Sequence, residues 1–216
     1  MQELNTEKRK EQSLLPTNRL SMIGFITKKF KVFEPLNDDK NQLPNAAGNY
    51  VVLLRKGIPM PMKGITHMPI ICEITLNNKE YQLIYTGIVK TTSTSSNLRK
   101  RIGGQHFGEN AGRSTLRLSL GCLMGFTKIF RDNRRKHLKF KKTDEQKLTD
   151  WMLNSLIVLY YVNCDSNNDE ENMISIFNPP LNLDKNYCEE NAEFRSELSY
   201  LRSKQILFEP IMEDET

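Results

Sequence analysis

Short apolar segments rich in β-branched and aromatic residues occur at three places along this chain, each bounded by polar or turn-forming residues. Residues 49–54, 81–88 and 156–162 are such segments. Each has the length of a typical strand and is shorter than most helices. They predict a sheet whose central strands lie in the protein interior.

A hairpin is predicted where residues 70–76 and 81–88 flank a short polar connection. This connection begins with Asn77 and Asn78, and asparagine tolerates the left-handed backbone that a tight hairpin turn needs. Successive side chains of a strand point to opposite faces of the sheet. One face of the second strand is therefore expected to hold Tyr81, Leu83, Tyr85 and Gly87.

Helical periodicity and capping signals predict helices between and after these strands. Ser114 is predicted to be the N-cap of one of them, with Arg113 and Arg117 together on its polar face. A capping box at residues 143–146 predicts the start of another. The predicted helices cover about residues 97–107 with a bend at Gly103-Gly104, 114–124, 143–152, 165–177 and 192–205. Together the elements predict a mixed α/β fold.

The length of 216 residues fits one domain of ordinary size with extensions at both ends. We predict an N-terminal arm over residues 1–40, a catalytic domain over 41–185, and a C-terminal helix with an acidic tail over 186–216. Four cysteines without a close pair disfavour a structural zinc site. No apolar run reaches the roughly 20 residues that span a bilayer, so we expect a cytoplasmic protein that does not bind membranes.

The charge of the chain is divided between two regions of opposite sign. Residues 90–142 hold 14 Lys or Arg against two acids, whereas residues 143–216 hold five bases against 16 acids. A basic region of this kind is typical of proteins that bind the phosphate backbone of nucleic acids. A solvated surface is the alternative explanation. The candidate phosphate contacts are Arg113, Arg117, Arg134 and Arg135.

Five motif elements follow one another along the chain and carry the functional signal. They are Gly48-Asn49-Tyr50, Tyr85-Thr86-Gly87, Arg101 within residues 98–102, Glu170, and Asn182 at the end of Pro179-Pro180-Leu181-Asn182. In this order they resemble the motifs of the GIY-YIG nucleases, and the resemblance covers about residues 46–183. The 12 residues from Glu170 to Asn182 match the usual spacing in that family, which favours Glu170 over Glu171 as its glutamate.

Three departures from the family pattern are visible. The isoleucine of each tripeptide is replaced, by Asn49 and by Thr86. Tyr50 and Tyr85 are 35 residues apart, so residues 56–79 are interpreted as an insertion. The interval from Arg101 to His106 is one residue longer than the common one.

The resemblance implies a small, mainly antiparallel three-stranded sheet flanked by helices, and an active site that cleaves DNA with Mg²⁺ or Mn²⁺. By the same resemblance, Tyr50 acts as general base and Tyr85 orients the water or the phosphate. Arg101 stabilises the charge that develops on the phosphate, and Glu170 binds the metal. Asn182 ties the ends of the site together by side-chain hydrogen bonds, and His106 assists proton transfer.

Two other functions compete with this interpretation. One is a catalytically silent nucleic-acid-binding protein on the same scaffold, and the other is a protein-interaction module that uses the acidic C-terminal region. The complete set of motif side chains favours the enzyme. RNA remains an alternative to DNA as the substrate, and the sequence leaves the oligomeric state open.

Overall fold

A five-stranded antiparallel sheet forms the centre of the protein in the computed structural model, which describes residues 18–93, 95–130, 138–163 and 166–203. In chain order its strands are β1 (Lys31–Phe33), β2 (Gly48–Arg55), β3 (Cys72–Leu76), β4 (Lys79–Val89) and, after a separate pair, β7 (Leu156–Val162). Across the sheet the order is β1-β7-β2-β4-β3. The separate pair, β5 (Lys128–Phe130) and β6 (Leu138–Phe140), forms a two-stranded sheet.

Helices flank the large sheet, and none in the described ranges combines the length and apolar character needed to span a bilayer. They are α1 (Arg19–Lys29), a π-helix (Arg99–His106), α2 (Thr115–Leu123), α3 (Lys142–Ser155), α4 (Ser166–Phe177) and α5 (Ala192–Ser203). Single 3₁₀ turns occupy Lys40–Gln42, Ala111–Arg113 and Glu189–Asn191.

The predicted mixed α/β fold with an antiparallel sheet is confirmed, but the predicted number of three strands is wrong. The two additional strands lie at the edges of the sheet. β1, from the segment predicted to be an N-terminal arm, pairs with β7. β3, which is the first strand of the predicted hairpin and lies within the predicted insertion, pairs with β4.

The central strand β2 is buried because helices cover both faces of the sheet. Its alternate side chains Tyr50 and Val52 join the apolar cluster that contains residues of α2, α3 and α5. Val51 and Leu53 point to the opposite cluster, which contains residues of α1 and α4. Every residue from Gly48 to Leu54 is consequently buried, as predicted for this apolar segment.

The predicted hairpin turn is confirmed between β3 and β4. Asn77 and Asn78 have φ angles of 48° and 62°. Two successive residues with positive φ between antiparallel strands are characteristic of a type I′ turn. The asparagine pair therefore sets the register of this hairpin.

A β-bulge in β4 places Tyr85 on a different face from the one predicted. The pairing with β2 shifts from Val52 opposite Tyr85 to Leu53 opposite Leu83, which leaves Ile84 as the extra residue. Leu83 therefore lies in the cluster with α1 and α4, whereas Tyr85 lies in the cluster with Tyr50. The prediction that Tyr81, Leu83, Tyr85 and Gly87 share one face is wrong, because strict alternation does not survive the bulge.

The glycines of the two tripeptides are required by close approach of other atoms. Gly87 pairs with Tyr50 across the sheet, and a Cβ atom at Gly87 would overlap the Tyr50 hydroxyl. A Cβ atom at Gly48 would overlap the backbone oxygen of Tyr161. Gly87 therefore leaves the space that the Tyr50 phenol occupies.

We expect Gly87→Ala to destabilise the protein by about 1–3 kcal/mol, the usual cost of overpacking a buried position. The matched control is Gly24→Ala within α1, where no atom apart from the chain neighbours and the backbone of the helix itself lies within 4 Å of the added methyl group. This change should stabilise the helix by about 0.5–1 kcal/mol. Urea denaturation of both variants measures the difference, and equal stabilities would contradict the packing argument.

Candidate active site

The hydroxyl of Tyr50 lies at the centre of a buried hydrogen-bond network. Its oxygen is 2.6 Å from Nε2 of His106 and accepts a hydrogen bond from Nε of Arg101 at 3.2 Å. The Tyr50 and His106 side chains are fully buried. Three of the residues predicted for the site therefore meet at one oxygen atom.

The π-helix explains how Arg101 and His106 reach the same hydroxyl although the interval between them is one residue longer than usual. The amide of Phe107 donates to the carbonyl of Ile102 at 3.1 Å, a bond between residues five apart. In this wider helix, residues at i and i+5 take the relative position that i and i+4 have in an α-helix. The extra residue is absorbed by the helix type, and both side chains face Tyr50.

Neutral acceptors hold the guanidinium of Arg101 in place. Its Nη1 donates to Oε1 of Gln105 at 2.7 Å and to the carbonyl oxygen of Arg113 at 3.2 Å. No carboxylate in the described part of the chain forms an ion pair with it. The positive charge of Arg101 is therefore available to a phosphate.

Ser114 connects His106 to the start of α2. Its Oγ lies 2.7 Å from Nδ1 of His106 and accepts a hydrogen bond from the amide of Arg117 at 3.1 Å. The prediction that Ser114 is the N-cap of this helix is confirmed. Ser114 thus fixes the orientation of the imidazole ring through the cap of a helix.

His106 is neutral at neutral pH. Its pKa lies well below 6.5, because burial disfavours the charged ring and because Arg101 and Arg117 are nearby. The neutral ring carries one N–H and one acceptor nitrogen. When Nδ1 donates to Ser114, Nε2 is able to accept the proton of Tyr50.

Burial makes the Tyr50 phenol a weaker acid, although a general base accepts a proton most readily after it has lost its own. Burial raises the pKa of the phenol well above 10, and Tyr85 adds to this rise while Arg101 opposes it. The phenol is therefore protonated at neutral pH. A proton transfer through Tyr50 must accordingly involve a partner that accepts its own proton.

The prediction that Arg117 contacts phosphates is wrong. Its side chain is fully buried, and Nη2 forms an ion pair with Glu145 at 2.7 Å. It also donates to Thr149 Oγ1 at 3.0 Å and to the carbonyl oxygen of His106 at 3.2 Å. Arg117 lies on the inner side of α2 and faces α3. Its guanidinium therefore binds the backbone of His106 inside the protein and does not reach the surface.

Its partner Glu145 also departs from the predicted arrangement. The N-cap of α3 is Lys141, so the capping box expected at residues 143–146 does not form. Oε1 of Glu145 instead accepts from the backbone amides of Ala111 and Phe140 at 2.8 and 3.1 Å. A buried carboxylate with these donors and Arg117 is fully satisfied.

The other candidate phosphate contacts have different positions. Arg113 lies in the 3₁₀ turn before the cap of α2 and is exposed, in a shallow groove that Arg101 also lines. Its role in binding stays a prediction. Arg134 and Arg135 lie outside the described residues.

Tyr85 lies beside Tyr50 and reaches a neighbouring cleft. Its ring centroid is 6.4 Å from that of Tyr50 and 5.9 Å from that of His106. Its hydroxyl is 3.2 Å from Oγ1 of Thr115. The bulge in β4 is what turns Tyr85 toward this group.

Asn182 fastens the segment after α4 to β4. Its Oδ1 accepts from the amide of Thr86 at 2.8 Å, and its Nδ2 donates to the carbonyl of the same residue at 3.0 Å. The amide of Leu181 donates to the carbonyl of Ile84 at 3.1 Å. The Asn182 side chain therefore joins two segments 96 residues apart in the chain through hydrogen bonds of the kind that was predicted.

The cleft has a volume of about 630 Å³ and contains one carboxylate of the predicted site, Glu170. The Glu170 side chain is 16% exposed and lies 4.0 Å from Nζ of Lys185. Burial raises the pKa of Glu170, while Lys185 and Lys90 act in the opposite direction. The cleft is lined by residues that include Tyr85, Thr115, Glu170, Asn182, Asp184, Lys185 and Arg202.

Residues 48–204 match the family model described as the GIY-YIG catalytic domain. The chain belongs to the GIY-YIG family. No curated protein and no solved structure shows significant similarity to it. The family match extends past residue 185, where the predicted catalytic domain ends, and it includes α5.

The GIY-YIG site offers a donor set that suits a hard divalent cation. Mg²⁺ is usually bound through one or two carboxylates, with waters and substrate oxygens completing the octahedron. Glu170 is the carboxylate that could hold it, and Asp184 lines the same cleft. The described residues contain no group of three or more His, Cys, Asp and Glu side chains that could bind a metal by themselves.

Sequence reasoning missed several residues that surround this candidate site. Ser114 was predicted only as a helix cap, and its hydrogen bond to His106 depends on the fold. Lys185 and Arg202 line the cleft but belong to no motif. The position of Lys185, three residues after Asn182, is the one signal that could have indicated its place.

We expect the imidazole of His106 to titrate with a midpoint below pH 6.5, whereas that of His67 titrates above it. His67 is exposed, and its pKa is raised by hydrogen bonding to Glu197. NMR titration of the ring protons measures both, and His106→Gln assigns the signal by removing it. A midpoint for His106 at or above 6.5 would contradict its burial as a neutral ring.

Proposed function

We propose that the protein is a metal-dependent endonuclease that hydrolyses phosphodiester bonds in DNA. The observation that carries this proposal is the convergence of His106 and Arg101 on the hydroxyl of Tyr50. The hydroxyl oxygen of Tyr50 is thus in contact with both a proton acceptor and a permanent positive charge. These are the groups that a water attack on a phosphodiester requires.

The high pKa of Tyr50 is accommodated by the coupled transfer of two protons. As the water oxygen bonds to phosphorus, the water proton passes to the oxygen of Tyr50, and the phenol proton passes to Nε2 of His106. Tyr50 remains a neutral phenol throughout, so its ionisation is not required beforehand. The bond from phosphorus to the leaving oxygen breaks, and solvent protonates that oxygen. His106 then returns its proton to Tyr50, which passes a proton to solvent, and the neutral site is restored.

Arg101 provides the path and the charge for this step. It bonds to Tyr50 and also lines two grooves at the surface, and we propose that the attacking water approaches the phenol beside it. Its planar guanidinium stabilises the negative charge that grows on the phosphate oxygens. Tyr85, at the edge of the cleft, orients the water or the phosphate.

Glu170 would hold Mg²⁺ or Mn²⁺ in the cleft beside Tyr85. When bound, the cation supplies electrophilic stabilisation of the phosphate and leaving oxygens. The raised pKa of Glu170 fits this role, because a partly buried carboxylate gains most from a cationic ligand. Asn182 holds the end of α4 and β4 together, so that Glu170 and Tyr85 line the same space.

DNA binding is supported by the basic region over residues 90–142, part of which surrounds the site. Within it, Arg101 lies at the site itself and Arg113 is exposed nearby. Phosphate contacts of this kind provide affinity without sequence selectivity. RNA is the alternative substrate, and cleavage assays on both polymers separate the two.

Glu170→Gln should reduce metal-dependent cleavage by two to three orders of magnitude, or about 3–4 kcal/mol of transition-state stabilisation. The change keeps the size of the side chain and removes the charge that holds the cation. Affinity for DNA without metal should stay level or rise, since a negative charge leaves a phosphate site. Nicking of plasmid DNA with and without Mg²⁺ measures the rate.

The matched control is Glu171→Gln on the same helix. Glu171 is exposed and pairs with Lys185 at 2.7 Å, and an exposed ion pair of this kind contributes little. Full activity in Glu170→Gln, or an equal loss in both variants, would refute the metal assignment. A wild type that binds DNA without metal-dependent cleavage would support the silent binding protein instead.

Tyr50→Phe should reduce cleavage by about two to four orders of magnitude, the usual contribution of proton transfer by a positioned side chain. Tyr81→Phe is the control, because Tyr81 is a buried tyrosine on the opposite face of the same sheet. It should retain activity. Equal rates for the two variants, with DNA binding intact, would exclude the phenol of Tyr50 from the reaction.

A further inference from the structure

Arg202 is a cation of the cleft that no motif of the family accounts for. It occupies the last turn of α5 and lines the cleft together with Tyr85, Glu170 and Asn182. Its side chain is partly buried. Burial lowers the pKa of Arg202, and the nearby Cys122 and Tyr85 side chains act in the opposite direction. Its position beside Tyr85 connects α5 with the proposed catalytic centre.

The charge of Arg202 is not neutralised within the described part of the chain. No carboxylate there forms an ion pair with it, although Glu170 and Asp184 line the same cleft. The other cation of the cleft, Lys185, differs in this respect, since it pairs with Glu171 at 2.7 Å. A partly buried cation without an anionic partner is unfavourable by itself and gains when an anion enters.

A structural role at the end of α5 does not explain Arg202. Basic residues in the last turn commonly stabilise a helix by interacting with its terminal carbonyl groups. In α5 another residue makes these contacts: Nζ of Lys128, which is buried, donates to the carbonyl of Leu201 at 2.8 Å and also to that of Arg202. The helix end is therefore fixed independently of the Arg202 guanidinium.

We propose that Arg202 binds a DNA phosphate next to the scissile one, so that the C-terminal helix α5 forms part of the substrate site. This inference rests on the proposed function. Arg101 and Arg202, which both lie near Tyr85, then contact the same strand. The guanidinium offers two parallel donors to one phosphate, which suits arginine better than lysine.

Arg202→Gln should weaken binding of a fluorescein-labelled DNA duplex, measured by anisotropy in EDTA, about tenfold. The slope of log affinity against log salt should fall by about one unit, as expected for one lost phosphate contact. Arg19→Gln on α1, which packs on the other face of the sheet, is the control with the same change of charge. It should bind like the wild type.

A duplex with one neutral methylphosphonate identifies the contacted phosphate. A methylphosphonate in place of the phosphate that Arg202 contacts should weaken binding by the wild type. It should have no further effect on binding by Arg202→Gln. The melting temperature of Arg202→Gln should equal or exceed that of the wild type, because an unpaired cation is removed. A lower melting temperature would instead show a structural role and overturn the inference.

The outcomes separate this inference from the proposed function. If the wild type binds and cleaves DNA and Arg202→Gln matches Arg19→Gln in affinity and salt slope, the assignment of Arg202 fails alone. If the wild type neither binds nor cleaves DNA, the proposed function fails, and this inference fails with it. A tenfold loss confined to Arg202→Gln, together with the methylphosphonate result, supports both.

Discussion

The hydrogen bond between Tyr50 and His106 is the contact on which the arrangement of the site depends. It joins the central strand of the sheet to the π-helix, and three local features support it. Gly87 leaves room for the phenol, the π-helix directs the imidazole toward it, and Ser114 holds the far side of the ring. The bulge in β4 then adds Tyr85 on the same face. The π-helix and the bulge depart from ideal geometry at the place where the chemistry is proposed, which agrees with the usual location of bulges and π-turns.

Much of the fold could be predicted from the sequence, and so could the candidate residues that meet at the Tyr50 hydroxyl, because these depend on local patterns. The apolar run through Tyr50, the asparagine turn and the Ser114 cap each have a signal within a few residues. The bulge at Ile84 has none, since alternation is the default expectation for a strand. The edge strand β1 was not predicted for a related reason, since its pairing is decided by β7, a strand that lies far away in the chain.

Charge shows the same limit of local reasoning more clearly. Arg117 and Arg202 carry the same group, and neither position in the sequence indicates its environment. Arg117 meets Glu145, a partner 28 residues away, and is satisfied inside the protein. Arg202 meets no carboxylate in the described residues and lines a cleft. The net charge of a segment therefore predicts the charge of the protein surface only on average, because the burial of one ion pair removes two charged side chains from the surface.

The π-helix between Arg101 and His106 also bears on how such sites are recognised in sequences. An alignment places a one-residue gap between an arginine and a histidine that stand one position too far apart, and a pattern with fixed spacing rejects the chain. In the structure the arginine and histidine side chains still meet, because the additional residue widens the helical turn and leaves both side chains directed at one tyrosine. A search pattern that allows an optional residue at this point would recover proteins that a rigid motif discards.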